Sequence, residues 1–468
     1  MSDSGIPGGT QVPRSTRAVF AARTAAVVSL LGVVALLAWL IAYAPATTQG
    51  APTTSAPRPR SGTPATSPTA HSPSAAAPVQ ALVPGSVPSL VFQGPGVLLV
   101  AVIPGGYPNE GRVPSRLFLT TDGTHWTDVT PPQRGENGTY PVFEHASFIN
   151  SSTGWVSAWN LGTTGVTIFR TSDQGKSWTA IAAGRHSEAA GAGELIDLVG
   201  PHTAFAEHLE PTAPSESLAV TTDAGASWHT VYRGPNPTPA GQPPSGPDFL
   251  QIAFDGPANG FAAGGLPPIE PFATGPAFFH TTNGGSTWTP ESPPLPEPAS
   301  DCPGILSPQS AAGCAYSLPS FEDPAHGVLA AVAAKSGLAR IAFDTTGDGG
   351  ASWEKTASVS VTVPVAAHPP GLGGLPILPL VSMPASGTWW VLGWDGTTLM
   401  SRVTTNGGST WKNASAPMPI PGTPMGFGTL DGSQAVVMIA TPTSEQPVVS
   451  MLVTSDCGQS WHQLRLPA

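Results

Sequence analysis

Charge is scarce in this chain. Only 10% of its 468 residues are charged, Lys occurs four times, and 29 acids against 18 basic residues leave a net charge of -11. Proteins that bind nucleic acid neutralise phosphates with clustered Lys and Arg. No such stripe exists here, which excludes nucleic acid as a partner. Cysteine is nearly absent: Cys302, Cys314 and Cys457 are the only three. No Cys/His grouping has metal-ligand spacing, so neither a metal nor a cofactor is expected. A P-loop Lys, a GxSxG elbow and an HExxH helix are also missing. Gly and Pro, by contrast, number 54 and 55. That excludes a helical protein and suits many short strands joined by turns, together with an unstructured tract.

One long apolar run is present. Residues 24–44, "TAAVVSLLGVVALLAWLIAYA", carry no charge and match the ~20 residues of a bilayer-spanning helix. Arg14, Arg17 and Arg23 precede it, and no basic residue follows until Arg58. The positive-inside rule places residues 1–23 in the cytoplasm and everything after the helix outside. A cleaved signal peptide has a shorter apolar core, of about 7–15 residues, so a single-pass signal-anchor is the preferred reading. Residues 45–85 are rich in Pro, Ala, Ser and Thr and contain no aromatic residue. Such a tract buries too little apolar surface to offset its ordering entropy. It reads as a disordered, semi-extended stalk.

The remainder, 86–468, is a repeat. "TSDQGKSW" at Thr171–Trp178 returns as "TTDAGASW", "TTNGGSTW", "TGDGGASW", "TTNGGSTW" and "TSDCGQSW", with a shorter first copy, "TTDGTHW". The closing tryptophans, Trp126, Trp178, Trp228, Trp288, Trp353, Trp411 and Trp461, recur at intervals of 50 to 65 residues. Each interval holds strand-length runs of β-branched, aromatic and small apolar residues bounded by turn formers. Two runs precede the motif and one lies on each side of it, which gives four strands per unit. Seven four-stranded antiparallel sheets arranged radially make an all-β, seven-bladed β-propeller.

Within each copy the acid or amide fixes a hairpin turn by bonding downstream backbone N–H groups, the Gly takes a positive φ, and the Trp covers apolar surface. These residues are Asp122 and Trp126; Asp173, Gly175 and Trp178; Asp223, Gly225 and Trp228; Asn283, Gly285 and Trp288; Asp348, Gly350 and Trp353; Asn406, Gly408 and Trp411; Asp456, Gly458 and Trp461. Sevenfold recurrence argues for a structural role, since a catalytic residue is needed once. The pattern Ser/Thr-x-Asp-x-Gly-x-Ser/Thr-Trp resembles the Asp-box, or bacterial neuraminidase repeat, of sialidase-like propellers. Asn283 and Asn406 depart from the acid, and the first copy is one residue short, which leaves its turn in question. The "GW" turns are similar in style to the photosystem II assembly-factor group, and that resemblance implies a non-enzymatic scaffold.

Ligands of propellers bind the face made by the second-to-third-strand loops and the blade-linking loops. Arg134, Arg185 and Arg233 fall in three successive blade-linking loops, with His186 and Glu188 beside the second. Together they form a candidate patch for a carboxylate or phosphate, against the alternative of ordinary solvated loop residues. No catalytic residue is assigned. Members of the sialidase family usually carry an Arg-Ile-Pro signature near the first blade, and "VIPGG" at residues 102–106 lacks the Arg. A sialidase-like exo-glycoside hydrolase acting outside the membrane stays open as the alternative, as does a two-carboxylate glycosidase drawing on Glu188, Glu210, Glu270 or Asp301. Cys302 and Cys314 are expected to form a disulfide outside the cytoplasm, with Cys457 left over. The expected protein is thus a membrane-anchored, monomeric extracellular propeller that binds an unidentified protein or glycan.

Overall fold

The computed structural model describes residues 87–103, 113–132, 140–160, 166–181, 192–209, 216–233, 251–264, 277–296, 312–364, 378–385, 387–413, 418–441 and 448–466. The expected anchor and stalk lie outside these. Among the described residues no helix is long and apolar enough to cross a membrane.

The described strands form seven separate antiparallel sheets, each built from strands consecutive in sequence. Blade 1 runs from Val87–Gly94 through Val97–Ile103 and Arg116–Thr120 to Thr127–Asp128. Blades 2, 3 and 4 start at Pro141, Ala192 and Gln251 and end at Ile181, Arg233 and Glu291. Blades 5, 6 and 7 start at Ala312, Leu380 and Thr423. Two sheets show a fifth strand, and in both two short strands share one partner. In blade 5, Ala312–Tyr316 and Ser320–Phe321 both pair with Gly327–Lys335. The break falls at Pro319, which has no N–H to donate. There Ser317 takes over by donating its N–H to Ala330 O (2.8 Å) and accepting the Ala330 N–H on its hydroxyl (2.9 Å). In blade 6, Lys412–Asn413 and Met418–Pro419 share Thr398–Thr404 as partner.

Both faces of each blade are covered, so the second strands read as unbroken apolar runs rather than alternating ones. Val97–Ile103 is buried at every position. Its odd members, Val97, Leu99 and Ala101, pack on blade 2 through Phe143, Phe148 and Val156. Its even members, Leu98, Val100 and Val102, pack on blade 7 through Val436, Met438 and Met451. The same arrangement recurs around the circle, and the seven apolar clusters correspond to the seven seams between neighbouring blades.

The ring closes without strand exchange. Blade 7 is made wholly of its own segment, Thr423–Gln463, and the first and last blades meet through side chains. Beyond the apolar seam, Gln93 of blade 1 accepts the N–H and the hydroxyl of Thr429 on blade 7, both at 2.9 Å. It also takes a hydrogen bond from Ser382 of blade 6. A second polar staple lies across blades 2, 3 and 4. Leu198 donates its N–H to the Ser147 hydroxyl at 2.9 Å, and Asp197 accepts the Phe254 N–H. These amides belong to first strands, whose free edges have no further strand to bond, and side chains from neighbouring blades satisfy them.

Candidate functional site

The recurring turns join the third and fourth strands of each blade. In blade 3, Thr221 ends the third strand and its hydroxyl donates to Asp223 Oδ1 at 2.8 Å. The same hydroxyl accepts the Gly225 N–H at 2.9 Å. Asp223 then accepts the Ser227 N–H at 2.8 Å and the Ser227 hydroxyl at 2.6 Å. Blades 2, 5 and 7 repeat this set through Asp173, Asp348 and Asp456. The serine hydroxyl and N–H hold the carboxyls of Asp173 and Asp223 well below their ordinary range, at about 2. A carboxylate so engaged has little proton affinity to offer a substrate.

In blades 4 and 6 the amide reverses the last bond. Asn283 Nδ2 donates to Thr287 Oγ1, and Asn406 Nδ2 to Thr410 Oγ1, both at 2.8 Å. The short first copy still closes. Asp122 Oδ1 accepts the N–H groups of Thr124 (2.9 Å) and His125 (2.7 Å), so its bonds fall two and three residues downstream instead of four.

Two features of these turns carry no signal in the motif itself. The residue before the glycine is left-handed as well, at φ 65° for Gln174, 60° for Ala224 and 65° for Cys457. Its N–H is spent on the first hairpin of its own blade. Gln174, Ala224, Gly284, Gly349, Gly407 and Cys457 donate to the carbonyls of Ser152, His202, Ala258, Ala325, Gly387 and Ser433 at 2.8–3.0 Å. Each full-length turn is thereby tied to the strand pair nearer the axis. The tryptophan and glycine reach the other way, to the preceding blade. Trp178 Nε1 donates to Val129 O of blade 1 at 2.6 Å. A Cβ on Gly350 would lie 2.4 Å from Phe261 Cζ of blade 4.

Among the expected ligand-face residues, Arg233 is not in a linking loop: it ends the fourth strand of blade 3, where it is exposed. Arg134, Arg185, His186 and Glu188 lie outside the described residues, as do Glu210, Glu270 and Asp301. Cys314 is disulfide-bonded and Cys457 is free; Cys302 lies outside the described residues. Among the described residues no group of three or more His, Cys, Asp or Glu is placed to hold a metal.

Sequence reasoning missed the buried polar groups of the seams. At the seam of blades 4 and 5, Asn259 Nδ2 donates to Gly349 O (3.1 Å), which turns its Oδ1 toward His280 Nε2 (2.6 Å). The other ring nitrogen of His280 faces Glu291 Oε1 at 2.8 Å, and Trp353 donates to Glu291 Oε2 at 3.3 Å. Each imidazole nitrogen thus faces a side-chain oxygen, and His280 stacks on Phe261 with ring centroids 4.5 Å apart. Asp344, fully buried on the third strand of blade 5, has no hydrogen-bond partner for either oxygen. Burial pushes its carboxyl up to about 7, against a partial pull downward from Lys355. Burial likewise pushes Asp197 up to about 7. These perturbed acids sit inside seams and staples, where they act on the frame. An open groove of about 400 Å³ lies at the turn end of blade 5, lined by His326, Thr345, Ser352 and Glu354 among others.

No family model matches the chain, and no curated protein matches it. Solved structures do. The YCF48 protein bound to a D1 peptide is 15% identical, with 81% of this chain and 99% of that chain covered and a TM-score of 0.43. An α-L-arabinofuranosidase of Fusarium graminearum, a mutant form in complex with an iminosugar inhibitor, is 14% identical over 68% of this chain and 94% of that one, at a TM-score of 0.36. A prolyl endopeptidase is 12% identical at a TM-score of 0.47, and there the match spans 81% of this chain but 50% of the other.

Proposed function

We propose that this protein is a membrane-anchored extracellular binding scaffold: an Asp-box propeller held off the membrane by the stalk, which recruits a protein or glycan through its loop face without turning it over. The observation that carries the reading is how differently the two ends of the blades are built. At the turn end, the Thr, Asp or Asn, and Ser or Thr side chains of the recurring motif bond one another, blade after blade. At the other end, the second-to-third-strand connections range from two residues, Ser336 and Gly337, to the twelve between Ile103 and Arg116. The linking segment between Arg233 and Gln251 holds 17 residues. A constant frame with unequal loops at one end is how a binding face is varied without disturbing its support.

Arg134, Arg185 and Arg233 are assigned to that face as anion-recognising groups, on the strength of their spacing in the sequence. The test is capture by the immobilised full-length chain of extracellular proteins and of acidic glycans. Replacing all three arginines by Ala is expected to reduce capture at least about tenfold, the size of one charge-assisted hydrogen bond lost. Unchanged capture removes the arginines from the face. Hydrolysis of fluorogenic glycosides that is abolished by replacing one of Glu188, Glu210, Glu270 or Asp301 replaces the scaffold reading with the hydrolase one.

A further inference from the structure

Two of the seven turns carry an asparagine followed by glycine, Asn283–Gly284 and Asn406–Gly407. Glycine offers no side chain to hinder attack on the preceding residue, so an Asn-Gly pair is chemically labile. The Gly nitrogen attacks Asn Cγ, the new N–Cγ bond forms, the Cγ–Nδ2 bond breaks, and ammonia leaves with the Gly N–H proton. Water then opens the cyclic imide. Cleavage at N–Cγ leaves Asp, and cleavage at the main-chain carbonyl leaves isoaspartate.

The closed turn opposes each requirement of that attack. The Gly284 N–H is committed to Ala258 O at 2.8 Å, and the Gly407 N–H to Gly387 O at 3.0 Å. The side chains are pinned to the threonine four residues downstream. Asn283 Oδ1 accepts the Thr287 N–H at 2.9 Å while its Nδ2 donates to Thr287 Oγ1 at 2.8 Å. Asn406 makes the same pair with Thr410, at 2.9 and 2.8 Å. The Thr281 and Thr404 hydroxyls add a third restraint, at 3.0 and 2.9 Å. The Asp product has its place already drawn in the sister turns. There Asp173, Asp223, Asp348 and Asp456 hold the same position, with a hydroxyl donating to the second oxygen. Thr287 and Thr410 need only rotate their hydroxyl protons toward it.

We propose that Asn283 and Asn406 are latent conversion sites: kept as amides while the turn is closed, cyclised when it opens, and, in the fraction hydrolysed at N–Cγ, accepted back into the turn as Asp. Conversion at these two residues therefore counts openings of blades 4 and 6. The test is peptide mass mapping of the full-length chain aged at mildly alkaline pH, folded and in urea. Conversion at both residues is expected to be at least about ten times slower in the folded chain, because it must wait for local opening. Equal rates in the two conditions overturn the proposal. Thr287→Val, which removes the Nδ2 acceptor, is expected to speed conversion of Asn283 in the folded chain and leave Asn406 unchanged; no acceleration at Asn283 also overturns it. Asn283→Asp, the product, is expected to keep the wild-type urea midpoint, and a clear loss of stability overturns the last clause.

Discussion

Adjacent residues in one turn differ in what a side chain would meet. Ala224 and Gly225 are both left-handed, at φ 60° and 86°. A Cβ on Gly225 would lie 2.7 Å from Ile181 Cγ2 on blade 2, whereas Ala224 is accommodated and buried in the same seam. Gly225→Ala should therefore destabilise by about 2–4 kcal/mol, combining backbone strain with overpacking. Ala224→Gly should be neutral or stabilising by up to about 1 kcal/mol, since relief of strain exceeds the added chain entropy. Urea midpoints of the two variants check the pair. Asp344 is the other residue-scale outlier. Two positions before the turn threonine, four of the sister blades carry Phe118, Phe169, Phe279 and Leu452. Asp344 holds the equivalent place with its oxygens unpartnered. Its folded pKa is raised from 3.8 to about 7, so the folded chain binds the proton more tightly and stability falls as pH rises between those values. Asp344→Leu should stabilise by about 2–4 kcal/mol at pH 8 and by clearly less at pH 5. An equal gain at both pH values speaks against a buried charge.

Elements are coupled by groups that belong to neighbouring blades. Asp197 sits on the first strand of blade 3, faces Ser147 of blade 2 at 3.5 Å, and accepts an amide from blade 4. Burial raises its pKa from 3.8 to about 7, so the staple is strongest with the acid protonated and weakens as pH climbs through that window. His145 lies two residues before Ser147, and burial lowers its pKa from 6.5 to about 4. Its contribution has the opposite sign: it is present above about pH 6.5 and is lost as pH falls toward 4. Asp197→Asn keeps an acceptor for Phe254 and removes the charge. The variant should lose less stability than wild type between pH 5 and pH 8, as read by urea unfolding across that range. A parallel pH dependence in the two proteins assigns the effect elsewhere.

The whole molecule depends on one seam that has no covalent continuity. Blades 1 and 7 meet at opposite ends of the described chain, and Gln93 holds Thr429 and Ser382 across that closure. Gln93→Ala leaves the Thr429 N–H without its acceptor and should cost about 1–3 kcal/mol. The loss should be local. Amide exchange is expected to accelerate at Thr429 and in the facing strands of blades 1 and 7, and to hold steady in blades 3 and 4. Uniform acceleration in all blades would mean that the ring opens as one unit.

Blade count and strand number were legible in the sequence because both follow from period. A tryptophan every 50 to 65 residues and strand-length apolar runs between turn formers are properties of adjacent residues. So is the glycine of each turn, whose companion at Ala224 or Gln174 is equally left-handed yet carries no mark of it. What tertiary structure alone decided is everything that acts across a seam. The partnerships of Gln93 with Thr429, Trp353 with Glu291 and Gly350 with Phe261, and the isolation of Asp344, join residues that nothing in local sequence relates. A side chain's neighbours on the next blade depend on how two sheet faces stack. Stacking is set by the fit of whole surfaces, and a one-dimensional pattern records only which residues face outward from their own strand.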